Sequence, residues 1–405
     1  MSALLSTQKM HISKQPVYLH ALGMINALGD RPDTIVAALA AGHAPGMTTL
    51  ATRIGNAFVG RVTAALESAP PAPLEPYDCR NNRLLLAALA QIAPHVEAAR
   101  ERYGADRIGV VLGTSTSGIG AAEAAFAHRA QTGAIPAGFD YRQMEIGAPG
   151  PFAAAVLGVD GPAFTVSTAC TSSAKAFASA RRLLRLQLCD AVVAGGVDSL
   201  CELTVQGFAS LESTSATRTN PMSVNRCGIN IGEGAAVFLM SRDEGPVALV
   251  GCGESSDAHH ISAPDPRGVG GELALRAALD DAGLAPSAIG YVNLHATATR
   301  KNDEMESHLM ARVFADGVAA SGTKPYTGHQ LGAAGATELG FAWLTLAREH
   351  MALPRHCWDG QADPALPRLD LVESERYLPR GAGTRYVMSN SFAFGGSNCS
   401  LILAD

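Results

Sequence analysis

The chain has 405 residues, 47% of them hydrophobic and 17% charged, and a net charge of −6 at pH 7. This globular composition excludes a disordered or collagen-like chain and argues against non-specific binding to nucleic acid or anionic membrane. No apolar run reaches transmembrane length, and the N-terminal M-S-A-L-L-S-T-Q-K-M-H lacks the regions of a secretion signal. The eight cysteines include no C-x-x-C pair, so neither a zinc nor a disulfide framework is expected and the chain reads as a reduced, cytoplasmic protein.

Length allows about two or three domain-sized units. Ser68–Pro76 reads as a proline-rich surface loop, and Leu84–Arg102 as a helix. A strand over Arg107–Leu112 runs into G-T-S-T-S-G. Another over Ala163–Ser167 leads to Cys170, followed by a helix over Ser172–Leu188. Ala191–Ala194 is a short strand ending in G-G. The polar turn Arg242–Pro246 divides the chain into halves 1–246 and 247–405, each with a strand-to-loop pattern that hints at duplication. In the second half, a helix over Glu272–Ala282 precedes a strand Tyr291–Leu294 that ends at His295. A helix over Ala333–Arg348 and a strand Tyr386–Met388, ending in S-N-S-F-A-F-G-G, complete the series. Alternating strands and helices imply an α/β fold with functional residues at the carboxyl ends of strands.

Three segments carry chemistry. Cys170, in V-S-T-A-C-T-S-S, falls between a β-branched run and a helix start, where free N–H groups and the helix dipole favour thiolate. A small core cysteine fits the same position. His295 lies in N-L-H-A-T-A-T, a place that also suits a hydrogen-bonded core histidine. His329 lies in T-K-P-Y-T-G-H-Q-L-G-A-A-G-A-T-E, with Lys324 before it and Glu338 after. A buried Lys/Glu pair can fix a histidine's tautomer and charge, whereas a solvated pair would do nothing to it. The S-F-A-F-G-G-S-N loop suggests backbone N–H groups facing a ligand. One thiol and two histidines suit acyl transfer followed by carbon–carbon bond formation. A cysteine protease needs only one histidine and an orienting Asn or Asp.

These motifs together resemble the β-ketoacyl-acyl-carrier-protein synthases of the elongating Cys-His-His class. The pattern T-A-C-x-S-S fits at Cys170. H-G-T-x-T with D-x-x-E fits at His295, Thr297, Thr299, Asp303 and Glu306. K-x-x-x-G-H-x-x-G-A-A-G-x-x-E fits from Lys324 to Glu338, and N-S-F-G-F-G-G-T-N fits at Asn390–Asn398. D-A-x-H-x-(S/T)-x-P fits Asp257–Pro264, and R-x-G-x-x-x-G-E-G-A fits Arg226–Ala235. The resemblance implies a thiolase-like, five-layered α-β-α-β-α sandwich of two related halves. Cys170 is then the acylated nucleophile, and His295 and His329 activate a malonyl thioester for decarboxylation. Lys324 organises His329, with Glu338 in support. Phe394 gates the pocket, and its N–H joins that of Cys170 in the oxyanion hole. Thr297 and Thr299 contact the pantetheine or malonyl unit, and Ser262 lies near the pantetheine arm. No cofactor or metal is implied beyond the phosphopantetheine of an acyl carrier protein. That acidic carrier would dock on Arg80, Arg83 and Arg129. The resemblance also implies a homodimer or a heterodimer with a related subunit, with the strand before Cys170 near the two-fold contact.

The chain departs from the pattern at Ala296, Ala298, Arg300 and Ala393, where Gly, Ser, Pro and Gly are common, and at Cys227, where Asp is common. Alanine resists positive φ, so a stiffer or differently held gate is expected at Ala393. G-I-N-I-G-E-G-A and L-N-L-H-A-T-A-T look most like synthases of aryl-polyene type II polyketide systems, with fatty-acid elongation as the alternative pathway. A non-catalytic chain-length-factor subunit is the alternative function, although such subunits usually lose the cysteine. A degradative thiolase would need a second catalytic cysteine, and Cys399 reads as core. The initiating Cys-His-Asn synthases lack the second histidine.

Overall fold

The computed structural model describes residues 16–53, 55–379 and 383–405; the N-terminal stretch read for a secretion signal lies outside them. The first half runs β1 Val17–Ile25, α1 Pro32–Ala41, β2 Met47–Thr52, β3 Gly55–Gly60 and α2 Arg80–Tyr103. It continues with β4 Ile108–Gly113, α3 Ile119–Thr132, α4 Pro149–Leu157, β5 Ala163–Val166 and α5 Ser172–Arg185. It closes with β6 Ala191–Asp198, α6 Glu202–Ser210 and β7 Gly234–Ser241. The second half runs β8 Val247–Ser256, α7 Val269–Ala282, β9 Ile289–Leu294, α8 Arg300–Val313 and β10 Ala319–Gly322. Then come α9 Lys324–Thr327, α10 Ala334–Ala347, β11 Asp370–Leu371, β12 Tyr386–Phe392 and β13 Ser397–Ala404.

The halves repeat one topology. Strand order is β5-β4-β6-β7-β1 in the first and β10-β9-β12-β13-β8 in the second, with β11 added at the edge. In each, three neighbouring strands are parallel (β5, β4, β6; β10, β9, β12) and two more follow antiparallel. The expected duplication is therefore visible in strand order, where sequence similarity was too weak to show it. A short antiparallel contact of Val17–Leu19 with Val247–Leu249 joins both into one eleven-stranded sheet. Three hydrophobic clusters separate five layers. One lies under α2 and α4, one under α7 and α8, and the largest surrounds α5 and α10 in the middle.

Composition explains the middle layer. The α10 sequence A-G-A-T-E-L-G-F-A-W-L-T-L-A is apolar on nearly all sides, and such a helix must be buried on all sides. Its single charge is Glu338. β4, β6 and β7 are buried along their whole length, as sheets covered on both faces must be. Gly113 lets β4 meet the start of α5: a Cβ there would stand 2.2 Å from the Ser173 nitrogen. Charged α8 and strands β1, β7, β8 and β10 were not anticipated, and the expected helix to Leu188 stops at Arg185, with Gln187 left-handed. No helix among the described residues is long and apolar enough to cross a membrane.

His356 ties two distant segments together. Its Nδ1 accepts from the Gly322 N–H (3.0 Å) and its Nε2–H donates to the Pro221 carbonyl (3.0 Å). Burial pushes its pKa down to about 4. The unfolded chain therefore takes up this proton first, so the contribution is full above pH ~6.5 and erodes as pH falls toward the folded value. Between pH 7 and 5 the erosion is about 2 kcal/mol at ~1.4 kcal/mol per pH unit. In urea titrations His356→Gln should lose about 2 kcal/mol less than the parent over that interval; equal losses would remove His356 as the sensitive group.

Candidate functional site

The functional side chains gather where the two halves meet. Cys170 follows β5 and His329 follows β10, and these strands hold the same place in the two repeats. His295 follows β9, and Phe394 follows β12. The Nε2 of His329 lies 3.0 Å from the Cys170 sulfur, and the His295 and His329 rings stand edge-to-face with centroids 5.4 Å apart. All three residues are buried.

Backbone strain shapes the corner that carries Cys170. Ala169 is left-handed (φ 53). Thr168 N–H donates to Ser172 Oγ (2.9 Å), while Ser172 Oγ–H donates to the Ala169 carbonyl (2.6 Å). The Phe394 N–H also donates toward the Cys170 sulfur. His329 is clamped from the other half: its N–H donates to the Asn230 carbonyl (2.6 Å), and its carbonyl accepts from Gly232 (2.8 Å). Gly328, at φ 67 with Gly232 Cα only 2.8 Å from its missing Cβ, permits that approach.

Lys324 is buried and its ammonium has three acceptors. These are the His295 carbonyl (2.5 Å), Glu338 Oε1 (2.5 Å) and His295 Nδ1 (3.3 Å). Three donors are then spent, and His295 must carry its own proton on Nε2. Lys324 was expected to organise His329, but it touches His295 instead; its charge reaches His329 only through space, and lowers that pKa as well. The Nδ1 of His329 is buried without a partner among the described residues, so nothing locks that tautomer.

Burial holds both imidazoles well below the usual histidine range, Lys324 adding to the effect, so both are neutral at pH 7. Burial pushes the Cys170 thiol up to about 12, outweighing the pull of Lys324. This corrects the thiolate expected from the helix start: the resting pair is a neutral thiol and a neutral imidazole. The same three residues offer S, N and N atoms within 4.8 Å of one another, a set that a soft cation could use. The buried ammonium at the back of His295 opposes a cation there.

The loop after β9 bends through two left-handed alanines, Ala296 (φ 40) and Ala298 (φ 62). Each costs about 1–2 kcal/mol relative to a relaxed residue. Glu306 accepts from the N–H groups of His295 and Ala296 (both 2.7 Å), and Asp303 from Ala298 (3.1 Å) and Met222 (2.8 Å). These charge-assisted bonds hold the bend. Burial raises the Glu306 pKa to about 7 and that of Asp303 to about 6. Ala393, by contrast, is extended (φ −126) and unstrained, so the expected stiffening at that position has no basis in this conformation.

A cavity of about 330 Å³ opens from the cysteine and the histidines. Thr297, Thr299, Ser262 and Phe394 all line it, as expected. The two threonine hydroxyls are 3.0 Å apart. Phe394 stacks at 5.3 Å on Phe208 of α6, a partner that sequence reasoning missed. Two buried acids were also missed. Asp198 gathers Thr114, Ser115 and Thr116, and Glu233 accepts from Val62 (3.0 Å), Leu200 (3.2 Å) and Arg80 (2.5 and 2.8 Å). The G-E-G-A motif was the available signal for Glu233; Asp198 had none. Arg80 is therefore the counter-ion of a fully buried carboxylate, and its assignment to carrier docking is withdrawn. Arg83 is paired in a two-pronged contact with Asp78 (2.6 and 2.7 Å). Arg129 is exposed at the end of α3.

The family models for the β-ketoacyl synthase N-terminal and C-terminal domains match residues 60–245 and 247–357. A mitochondrial 3-oxoacyl-[acyl-carrier-protein] synthase of Arabidopsis thaliana is 36% identical over 270 residues, covering 61% of this chain and 57% of that protein. The 3-oxoacyl-[acyl-carrier-protein] synthase 2 of Coxiella burnetii is 28% identical, covering 97% and 99%. A chain in the solved complex of the ketosynthase ApeO with its chain length factor ApeC from Xenorhabdus doucetiae is 45% identical, with a TM-score of 0.91 and coverage of 96% and 98%. The chain, with its repeated α/β halves and its cysteine and two histidines at their seam, belongs to the β-ketoacyl synthase family.

Proposed function

We propose that the protein condenses an acyl thioester with malonyl-acyl-carrier protein, releasing carbon dioxide and a β-ketoacyl-carrier product. The observation that carries this reading is the unequal pair of neutral histidines around Cys170. One is fixed as an Nε2–H donor by Lys324, and the other is free in tautomer and 3.0 Å from the sulfur.

Three steps follow. The Cys170 sulfur attacks the acyl thioester while its proton passes to His329 and on to the departing carrier thiolate. The malonyl unit then binds with its thioester carbonyl at the Nε2 atoms of His295 and His329. As its carboxylate leaves as carbon dioxide, the bonding pair moves into an enolate held by those two donors. The enolate carbon attacks the Cys170 thioester, whose oxyanion is taken by the Cys170 and Phe394 N–H groups. Collapse expels the Cys170 thiolate, which regains one proton from solvent through His329. Neutral imidazoles suit this sequence, because the enolate needs hydrogen-bond donors that do not protonate its carbon.

The 45% identity to a chain of a ketosynthase–chain length factor complex supports a type II system of separate subunits, and the G-I-N-I-G-E-G-A and L-N-L-H-A-T-A-T motifs favour the aryl-polyene class as its substrate family. Phe164 on the edge strand β5, 38% exposed, fits a subunit contact there. Arg129 is the docking arginine that takes no ion pair among the described residues. A purely non-catalytic partner role is opposed by the intact thiol, histidines and Lys324.

Incubation with acyl-carrier should place a single acyl adduct on the Cys170 peptide by mass spectrometry, and Cys170→Ala should abolish condensation; an adduct elsewhere would overturn the assignment. With the thiol at about 12 and His329 neutral, the rate of Cys170 alkylation by iodoacetamide should climb steadily from pH 6 to 9. A plateau below pH 8 would mean a preformed thiolate–imidazolium pair. Lys324→Met with Glu338→Gln leaves no buried lone charge, and should cut malonyl decarboxylation by about 10²-fold while acylation of Cys170 stays within about tenfold. Equal loss of both half-reactions would sink the tautomer-locking role.

A further inference from the structure

The cavity is neutral at its floor and charged at its rim. Cys170, His295 and His329 carry no net charge at pH 7, whereas Arg300 and Lys301 both line the cavity and are both exposed. Neither side chain forms an ion pair or hydrogen bond with another described residue. Arg300 is close enough to Asp363 to help lower its pKa, but that carboxylate is committed to Arg226 at 2.5 Å. Glu212 is the only carboxylate among the described lining residues, so the rim is cationic in a chain whose net charge is −6. Thr299 caps the start of α8: its Oγ1 accepts from Asn302 N–H and its carbonyl from Asp303 N–H, which fixes the backbone that carries Arg300 and Lys301. The two cationic side chains are thus presented to the cavity from a fixed corner. Arg300 also stands where the family pattern commonly has proline, so the guanidinium is a feature of this chain.

We propose that Arg300 and Lys301 recognise the phosphate ester at the far end of the pantetheine arm, and that Arg300 is specificity-determining for phosphorylated over unphosphorylated thioesters. The inference rests on the condensing-enzyme reading above. An arm whose thioester lies at Cys170 and whose amides pass Thr297 and Thr299 emerges at this rim. A guanidinium offers a two-pronged fork to phosphate oxygens, and the ammonium adds a second point charge. The interaction is partly solvent-exposed, so it should weaken as salt rises.

The test compares second-order rates of Cys170 acylation, read by mass spectrometry, with the same acyl group on pantetheine, on phosphopantetheine, on coenzyme A and on carrier protein. The parent should favour phosphopantetheine over pantetheine by about tenfold or more at low salt, a difference of about 1.4 kcal/mol. Coenzyme A should gain little beyond phosphopantetheine. In Arg300→Ala with Lys301→Ala the preference should fall to within about twofold of unity while the pantetheine rate is unchanged, and Arg300→Lys should retain part of it. A preference that survives the double substitution, or one seen only with carrier protein, overturns the proposal and leaves the condensing reading intact. Absence of Cys170 acylation by every thioester overturns both.

Discussion

Everything at the site depends on a buried ammonium with three acceptors. Lys324 is the cation of a pocket that cannot solvate it, and one Glu338 oxygen, one backbone carbonyl and one imidazole nitrogen take its hydrogens. An unpaired charge at that depth would cost several kcal/mol, so Glu338 must lie on α10, and α10 must lie in the middle layer. The same contacts decide the proton on His295. A donor is therefore fixed in direction before any substrate arrives, which is the preorganisation that stabilising an enolate requires. Burial serves a second purpose here, because it keeps the imidazoles neutral where a solvent-exposed pair would titrate.

Duplication explains how so few residues reach one point. Equivalent strands deliver Cys170 from one half and His329 from the other, and α5 and α10 start side by side behind them. The turns that present these groups are locally unfavourable, with left-handed alanines at 169, 296 and 298. Buried acids offset the cost for the histidine loop: Glu306 and Asp303 each collect backbone donors there, and Asp198 does the same for the loop after β4. Strain of this kind survives only where the surroundings over-determine it.

Residue types and motif spacing made Cys170, both histidines, Lys324, Glu338 and the cavity threonines legible, and Cys170 and His295 stand after strands with clear β-rich runs. The fold class was legible for the same reason. Contacts that depend on tertiary packing were not. Nothing in G-H-x-x-G-A-A-G says that Lys324 turns its ammonium away from the neighbouring His329 toward His295, on another strand. Nothing in S-F-A-F-G-G says that Phe394 rests on Phe208, nearly two hundred positions earlier in the chain. Arg80 looked like a surface charge because its partner Glu233 lies beyond the reach of any local pattern. The strands β1 and β7 lead into no functional loop that would draw attention to them.

The thiol is where local and global physics oppose each other most clearly. A helix start supplies free N–H groups and a positive dipole end, which favours thiolate by an amount of order 1 kcal/mol. Removal from water disfavours it by more, and the Asp198 and Glu338 charges act in the same direction. Desolvation wins for the buried thiol. In the proposed reaction the proton leaves as the acyl carbonyl arrives, and the 3.0 Å contact with His329 is its short route. A histidine with a locked donor tautomer could not take it, which is why the two imidazoles must differ. Lys324 locks His295, whereas the Nδ1 of His329 has no partner among the described residues, so in the proposed reaction that ring can accept from sulfur in one step and donate to oxygen in the next.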